Sequence, residues 1–168
     1  MARSPRSCSI RPARREDARA IAEIYNAAVR STVATFDTEP RTLAAQRRWL
    51  AHHRDGYPVL VAERRGETVG WSALSAWSDR RAYDGTAEVS FYVRADAQGQ
   101  GVGRHLLEAL VTSARTQGLH TLVSRIADRN PVSTHLHERL GFRSIGVMHE
   151  VGFKFDRWID VELFQLIL

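Results

Sequence analysis

The chain of 168 residues has little of two residue types that often direct functional interpretation. Its one cysteine, Cys8, makes an internal disulfide impossible and fits a reducing compartment. Its one lysine is Lys154, so arginine carries nearly all of the positive charge. No apolar run is long enough to span a membrane, and the first residues lack the apolar segment of a secretory signal. We therefore expect a cytoplasmic protein without membrane contact, with a disordered tail at residues 1–8 and a single domain at residues 9–168.

Runs of like charge and metal-ligand spacings are also missing. The net charge is +5, but acidic residues are interspersed with the basic ones throughout the chain. This pattern predicts a solvated basic surface and no nucleic-acid partner, although its field favours a phosphate-rich ligand. His135 and His137 are two residues apart and would point to different sides of a helix, so we predict no metal site.

The segment Ala87–Gly103 organises the rest of the chain. Residues Ala87–Val93 are rich in β-branched and aromatic side chains, which predicts a central strand. The glycine-rich run Gln98–Gly103 follows, and apolar residues then recur at helical spacing from Val102. Glycines at such a junction let a ligand approach the backbone, and the N–H groups of the first helical turn favour an anion there. The simplest ligand is a pyrophosphate; the alternative is a tight turn that binds nothing.

Two common phosphate-binding loops do not fit this run. A P-loop requires Lys and Ser or Thr after its last glycine, but Arg104 and His105 follow Gly103. A dinucleotide fingerprint requires a third glycine, and that position is Arg104 counted from Gly99 or Leu106 counted from Gly101. What remains is Gln-x-x-Gly-x-Gly after a strand.

The remaining patterns predict the element order β-α-α-β-β-β-α-β-α-β-β. The strand–helix–strand unit around the glycines implies a parallel pair, and the hairpins imply antiparallel pairs, so the sheet should be mixed. The predicted strands are Ser9–Pro12, Val59–Glu63, Thr68–Trp77, Ala87–Val93, His120–Ile126, Phe142–Gly152 and Ile159–Leu168. The predicted helices are Arg15–Val29, Thr42–His53, the helix that Gly118 closes, and the helix from Asn130 to Leu140.

The glycine run resembles the coenzyme A loop of the GNAT superfamily of N-acetyltransferases. A second motif, Asn130–Phe142, is similar to the superfamily helix that flanks the thiol end of the cofactor. Segments Thr35–Pro40, Arg81–Asp84, Thr86–Glu88 and Gly152–Lys154 look like the phosphinothricin and methionine sulfoximine acetyltransferase group. The resemblance implies an α/β (α+β) GNAT fold with a mixed sheet of about seven strands and about four helices. It also implies acetyl-CoA as co-substrate, no metal, a small amino-acid-like amine as acceptor, and a homodimer.

Glu88 is a candidate general base, because a carboxylate inside an apolar strand has a raised pKa. The resemblance places it at the proposed base of the group; the alternative is a structural pair with a neighbouring strand or with an arginine of the Asp79–Gly85 loop. His137 stands where most of the superfamily has a tyrosine that protonates the leaving thiolate. The alternative for His137 is a helix histidine satisfied by a backbone carbonyl.

The resemblance also suggests a binding set. Backbone groups at the end of the central strand should pair with the pantetheine arm and stabilise the oxyanion, Asn130 should bind the pantetheine or act only as an N-cap, and Arg104 should lie near the phosphates. The predicted cofactor residues are Phe91, Tyr92, Val93, Gly99, Gln100, Gly101, Val102, Gly103, Arg104 and Asn130. For the acceptor we predict Phe36 as an apolar wall, Arg81 for an acidic group, and Lys154, from the same or a second subunit.

Two other functions remain open from the sequence. One is a GNAT enzyme that acetylates a polyamine or a protein N-terminus. The other is a domain that binds coenzyme A as a sensor without turnover.

Overall fold

The computed structural model describes residues 8–53 and 56–168. The predicted tail therefore lies outside the described residues, with the exception of Cys8. Cys8 packs partly buried against the core, and its Sγ lies 3.6 Å from Nδ1 of His105. The prediction of disorder does not hold for this residue.

Seven strands form one mixed sheet in the order β1-β2-β3-β4-β5-β7-β6. Only β4 and β5 pair in parallel, and every other neighbouring pair is antiparallel. The strands are β1 (Ser9–Pro12), β2 (Val59–Arg64), β3 (Glu67–Ala76), β4 (Thr86–Val93), β5 (Thr121–Ala127), β6 (Arg143–Lys154) and β7 (Arg157–Ile167). The predicted mixed sheet and element order are confirmed.

Four helices cover the two faces of the sheet: α1 (Ala18–Ser31), α2 (Leu43–His52), α3 (Val102–Thr116) and α4 (Pro131–Arg139). Thr42 caps α2 by accepting a hydrogen bond from the Ala45 N–H at 3.1 Å, as its position before an apolar pattern predicts. The four predicted helices are confirmed, with ends that shift by a few residues. None of the helices in the described part of the chain combines the length and the apolar character that a bilayer crossing requires.

The core lies in two main layers, one on each face of the sheet. Leucines of α3 pack on one face against strands β2 to β5 and β7, and we call this side the α3 face. Aromatic and branched residues of α1 and α2 pack on the other, which we call the α1/α2 face. Because side chains alternate along a strand, Val89 and Phe91 of β4 belong to the α3 face, while Glu88, Ser90 and Tyr92 belong to the α1/α2 face.

Candidate active site

The two parallel strands at the centre of the sheet separate after a short paired stretch. The β4–β5 register runs from Thr86 opposite Thr121 to Val89 opposite Ser124, although both strands continue beyond these residues. The rest of β4 stays paired with β3, and the rest of β5 stays paired with β7. A cleft therefore opens between residues 90–93 and 125–127, and backbone polar groups line its β4 side.

The direction of these backbone groups follows from one hydrogen bond. The Arg94 N–H donates to the Val69 carbonyl of β3 at 2.9 Å, so the alternation of an antiparallel ladder turns Phe91 and Val93 the other way, towards β5. The Val93 carbonyl already accepts a bond from the Gln98 side chain at 3.1 Å. Phe91 thus offers its N–H to the cleft, whereas the backbone of Tyr92 points to β3, which corrects the prediction that its N–H is available to a ligand.

The glycine run lies where β4 meets α3, next to the cleft. Gly101 is the N-cap of α3 with φ +83°, a conformation that side chains other than those of Gly and Asn rarely adopt. It supplies no side-chain cap, so the N–H groups of Val102, Gly103 and Arg104 at the start of α3 have no acceptor in the described structure. This end of the helix is built to receive an anion.

The residues around the glycines have distinct tasks. Gln100 braces the loop, because its amide donates to the Asp96 carbonyl at 2.8 Å and accepts from Arg64. Val102 is buried in the core, so only its backbone can meet a ligand. Arg104 is half exposed and lies 3.7 Å from Glu108, so its charge remains near the helix start. Gly99, with φ +68°, has open space on its Cβ side.

Glu88 lies at the base of the cleft on the α1/α2 face. Its side chain is 26% exposed, and its Oε2 is 3.4 Å from a guanidinium nitrogen of Arg125. Burial raises the pKa of Glu88, and the positive charge of Arg125 opposes that shift. Of the two structural partners that the sequence analysis left open, the contact is with the neighbouring strand β5 and not with an arginine of the Asp79–Gly85 loop. A half-buried carboxylate with a raised pKa can accept a proton from an amine.

His137 lies on the opposite side of the sheet, fully buried among the rings of Phe91, Phe142 and Phe164. Its Nδ1 is 2.8 Å from the Ser133 carbonyl, which can only accept, so Nδ1 carries the proton. Nε2 has no hydrogen-bond partner among the residues that the structure describes. Burial lowers the pKa of His137, so the ring is neutral at pH 7 and Nε2 carries a lone pair. The geometry therefore favours Nε2 as an acceptor, and the general-acid role stays a prediction that requires the scarcer charged ring.

Asn130 caps α4, and Pro131 is the first residue of that helix. The Asn130 Oδ1 accepts a bond from the Ser133 N–H at 3.1 Å, so the N-cap interpretation is confirmed. Its two amide hydrogens remain available, and contact with a ligand stays a prediction.

The loop between α1 and α2 carries Phe36 and is fastened from two sides. Lys154 is 4% exposed, and its Nζ donates to the carbonyls of Thr32 at 2.9 Å and Thr35 at 2.7 Å. The Phe36 ring packs over Gly152 so closely that a Cβ at Gly152 would overlap it. The predicted acceptor residue Lys154 is thus a loop anchor in this structure, and Phe36, 39% exposed, is the large apolar side chain of the loop that remains partly accessible.

A partly buried polar network that the sequence analysis missed holds the other end of this loop. The hydroxyl of Tyr25 donates to Asp37 at 2.6 Å, and Arg41 reaches the same carboxylate at 3.0 Å. Nothing in the spacing of these residues distinguishes them from ordinary loop and helix residues. The predicted acceptor residue Arg81 lies in a short 3₁₀ turn before β4 and is exposed.

Arg125 is a further site residue that the sequence analysis missed. The signal that singled out Glu88, a charged side chain within an apolar strand, was present for Arg125 as well. Within residues 8–53 and 56–168, no three His, Cys, Asp or Glu side chains cluster in a way that could hold a metal ion.

Comparison with known proteins places this site in a family. Residues 10–163 match the family described as Acetyltransferase (GNAT) domain. The L-methionine sulfoximine/L-methionine sulfone acetyltransferase of Pseudomonas paraeruginosa is 44% identical over 96% of this chain and 95% of its own length. The phosphinothricin N-acetyltransferase of Alcaligenes faecalis is 40% identical over 95% of this chain and 82% of its own. The solved structure of a Salmonella typhimurium acetyltransferase with its cofactor acetyl-CoA superposes with TM-score 0.93, at 38% identity over 96% of this chain and 94% of that one.

Proposed function

The chain belongs to the GNAT acetyltransferase family, and we propose that it transfers the acetyl group of acetyl-CoA to the α-amino group of a small amino-acid-like acceptor. The acceptor class is that of methionine sulfoximine, methionine sulfone and phosphinothricin, on which the relatives named above act. The observation that carries the proposal is the position of Glu88, half-buried with a raised pKa where β4 and β5 separate.

The residues of this chain fit acetyl-CoA. The N–H groups at the start of α3 suit its phosphates, with the Arg104 charge close by. The free N–H of Phe91 suits a carbonyl oxygen, either of the pantetheine arm or of the reacting thioester. The unpartnered Nε2 of His137 is a buried polar atom that lacks the hydrogen bond such atoms normally make.

In the reaction, the neutral amine attacks the thioester carbon, the new C–N bond forms, and the C–S bond breaks. Glu88 removes the proton that the amine must lose, directly or through a water molecule. The Phe91 N–H stabilises the negative charge that develops on the carbonyl oxygen. The thiolate then takes up a proton, and a charged His137 ring is the group that we predict to supply it.

We expect the acceptor to lie between the Phe36 loop and the cleft. The methylene chain would pack on Phe36, which the Lys154 anchor holds in place. Arg81 would bind the sulfone, sulfoximine or phosphinyl oxygens, because a guanidinium forms paired hydrogen bonds with such groups.

The test is the rate of coenzyme A release, measured as kcat/KM, with methionine sulfone, methionine, spermidine and a short peptide as acceptors. A site that hydrogen-bonds the sulfone oxygens rejects methionine far more strongly than size alone would. Arg81→Ala should cost about 2 kcal/mol in kcat/KM for the sulfone if the pair is charge-assisted. Equal rates for methionine and its sulfone, or spermidine or peptide as the best acceptor, would contradict the acceptor class and leave the acetyltransferase activity intact.

We further propose that the enzyme is a cytoplasmic homodimer. A strip of exposed apolar side chains on the edge strand β6 and its partner β7 supports the dimer: Ile145, Val151, Phe153 and Trp158. Such a strip at an unpaired sheet edge is unusual for a monomer. Light scattering of the wild type should give twice the mass of one chain. Phe153→Glu should reduce the measured mass to that of one chain.

A further inference from the structure

Arg125 is the charged side chain closest to the proposed base, and no other part of the mechanism uses it. It lies two residues beyond Val123, which is opposite Glu88 in the parallel register, and one residue beyond the last paired position, Ser124. Leu122 and Ile126, at even-numbered positions of β5, are buried in the core of the α3 face. Arg125 is at an odd-numbered position of the same strand. Arg125 therefore projects on the α1/α2 face, the same side as Glu88.

The guanidinium of Arg125 is held in place by its neighbours but has unused hydrogen-bond donors. It lies 5.0 Å above the ring of Trp77 and 3.4 Å from the Glu88 carboxylate, and its side chain is 50% exposed. In the described part of the chain, no hydrogen bond with good geometry uses any of its five N–H donors. One nitrogen of the planar fork lies beside Glu88, and because half of the side chain is exposed, donors remain for a ligand that enters next to Glu88.

The other arginines with well-formed ion pairs are engaged elsewhere. Four of these pairs join an arginine to a carboxylate in a turn or loop, namely Arg11–Asp17, Arg41–Asp37, Arg94–Asp96 and Arg157–Asp128, and Arg11 and Arg94 also contact Glu63 of β2 and Glu67 of β3. Arg125 is different, because its acidic partner is the residue that we assign to proton removal. A cation placed beside the base will meet whatever group lies next to the reacting amine.

On the basis of the proposed function, we propose that Arg125 binds the α-carboxylate of the acceptor and thereby sets the preference for α-amino acids. In an α-amino acid, the amine and the carboxylate are attached to the same carbon atom. A site that brings a base to the amine must therefore place a cation within reach of the carboxylate, and Glu88 and Arg125 form that pair. Arg81, in the turn before β4, remains for the distal oxygens of the side chain.

The experiment compares two acceptors, L-methionine sulfone and its α-carboxamide, on the wild type and on Arg125→Gln. The carboxamide keeps the amino group and the sulfone but replaces the charged carboxylate with a neutral amide, which also makes the amine less basic. The informative quantity is therefore the change in the acceptor ratio between the wild type and the variant. If a charge-assisted hydrogen bond holds the carboxylate, the wild type should prefer L-methionine sulfone over its carboxamide by about 10- to 100-fold in kcat/KM. Arg125→Gln should remove most of this preference, because the ratio between the two acceptors cancels any change in the chemical step.

Two further variants and a binding control make the result specific. Arg115→Gln, the same change on the exposed part of α3, should keep the preference of the wild type. Arg125→Lys keeps the charge without the planar fork and should keep part of it. Calorimetry with acetyl-CoA should show unchanged affinity for each variant, which verifies the fold.

Two results would overturn the inference. One is an Arg125→Gln enzyme that still prefers the free carboxylate; the other is loss of the preference in Arg81→Gln instead, which would make Arg81 the carboxylate residue. If the wild type acetylates neither acceptor but acetylates spermidine or a peptide, the proposed function itself fails and this inference fails with it.

Discussion

Replacing Glu88 with glutamine tests whether this residue acts as a general base or only stabilises the folded structure. The substitution keeps the side-chain volume and a polar amide but removes the basic carboxylate oxygen. If Glu88 is the general base, kcat/KM should fall roughly a hundredfold or more. Burial raises the pKa of Glu88, so the wild-type rate should fall as the pH drops through a value above the ordinary one for glutamate. The variant should lack this limb, and its defect should shrink at high pH, where the acceptor amine loses its proton unaided.

The stability of the same variant provides an internal check. A folded-state pKa above the unfolded value means that ionised Glu88 costs stability at neutral pH. Glu88→Gln removes that cost, and it frees Arg125, which is half exposed and can be solvated. The unfolding temperature should therefore stay constant or rise slightly. Glu23→Gln, on the exposed side of α1, is the matched control and should change neither rate nor stability. A defect that does not vary with pH, or a large loss of stability, would return Glu88 to a structural role.

Three further predictions concern other parts of the site. Gly101→Val should weaken acetyl-CoA binding in calorimetry, because it strains a residue in the left-handed conformation and places a side chain at the start of α3. Asparagine tolerates that conformation, so Gly101→Asn should bind acetyl-CoA more tightly than Gly101→Val. Equal affinities of the two variants would contradict a ligand at this loop. His137→Phe should preserve the packing of its aromatic cluster but reduce turnover, whereas wild-type turnover would make Nε2 irrelevant. Because burial lowers the pKa of His137, the wild type should lose stability as the pH falls below about 6.5, and this loss should be smaller in the variant. Lys154→Met should leave two carbonyls unpaired and lower the free energy of unfolding by about 1–3 kcal/mol. It should also raise KM for the acceptor more than KM for acetyl-CoA. An unchanged acceptor KM would show that the Phe36 loop does not need this anchor.

The fold followed from local signals that are strong in this sequence. Apolar spacing in α1 and α3, the caps at Thr42 and Asn130, and the glycines at helix ends each act over a few residues, so they can be read along the chain. The structure adds long-range pairing, above all the point at which β4 and β5 separate. That point depends on how β5 is held by β7, more than thirty residues later in the chain, and no local pattern records it.

Candidate site residues stood out in the sequence where one residue type is unusual in its element, and their roles stay predictions. Glu88 in an apolar strand and glycines at a strand–helix junction are such cases. Lys154 shows the limit: it was predicted to meet the acceptor, but its ammonium lies against the carbonyls of Thr32 and Thr35, over a hundred residues earlier in the chain. For His137, the structure shows the backbone-carbonyl contact that the sequence analysis gave as the alternative, with Ser133 one helical turn away, while the burial of the ring among three phenylalanines was not predicted. A role that depends on a specific neighbour becomes visible only when the chain is folded.

The separated strands also explain how two groups on opposite faces of the sheet can act on one reaction. Glu88 faces α1 and α2, whereas His137 is buried on the α3 face, so an intact sheet would lie between them. The gap after Val89 and Ser124 removes the backbone ladder at this point. In the proposed reaction, an amine would approach the thioester from the Glu88 side while the leaving sulfur would remain on the His137 side, with the Phe91 N–H at the edge between them. Direct contact between the base and the histidine is thus not needed for either role, since the cleft gives each group its own side of the reacting carbon.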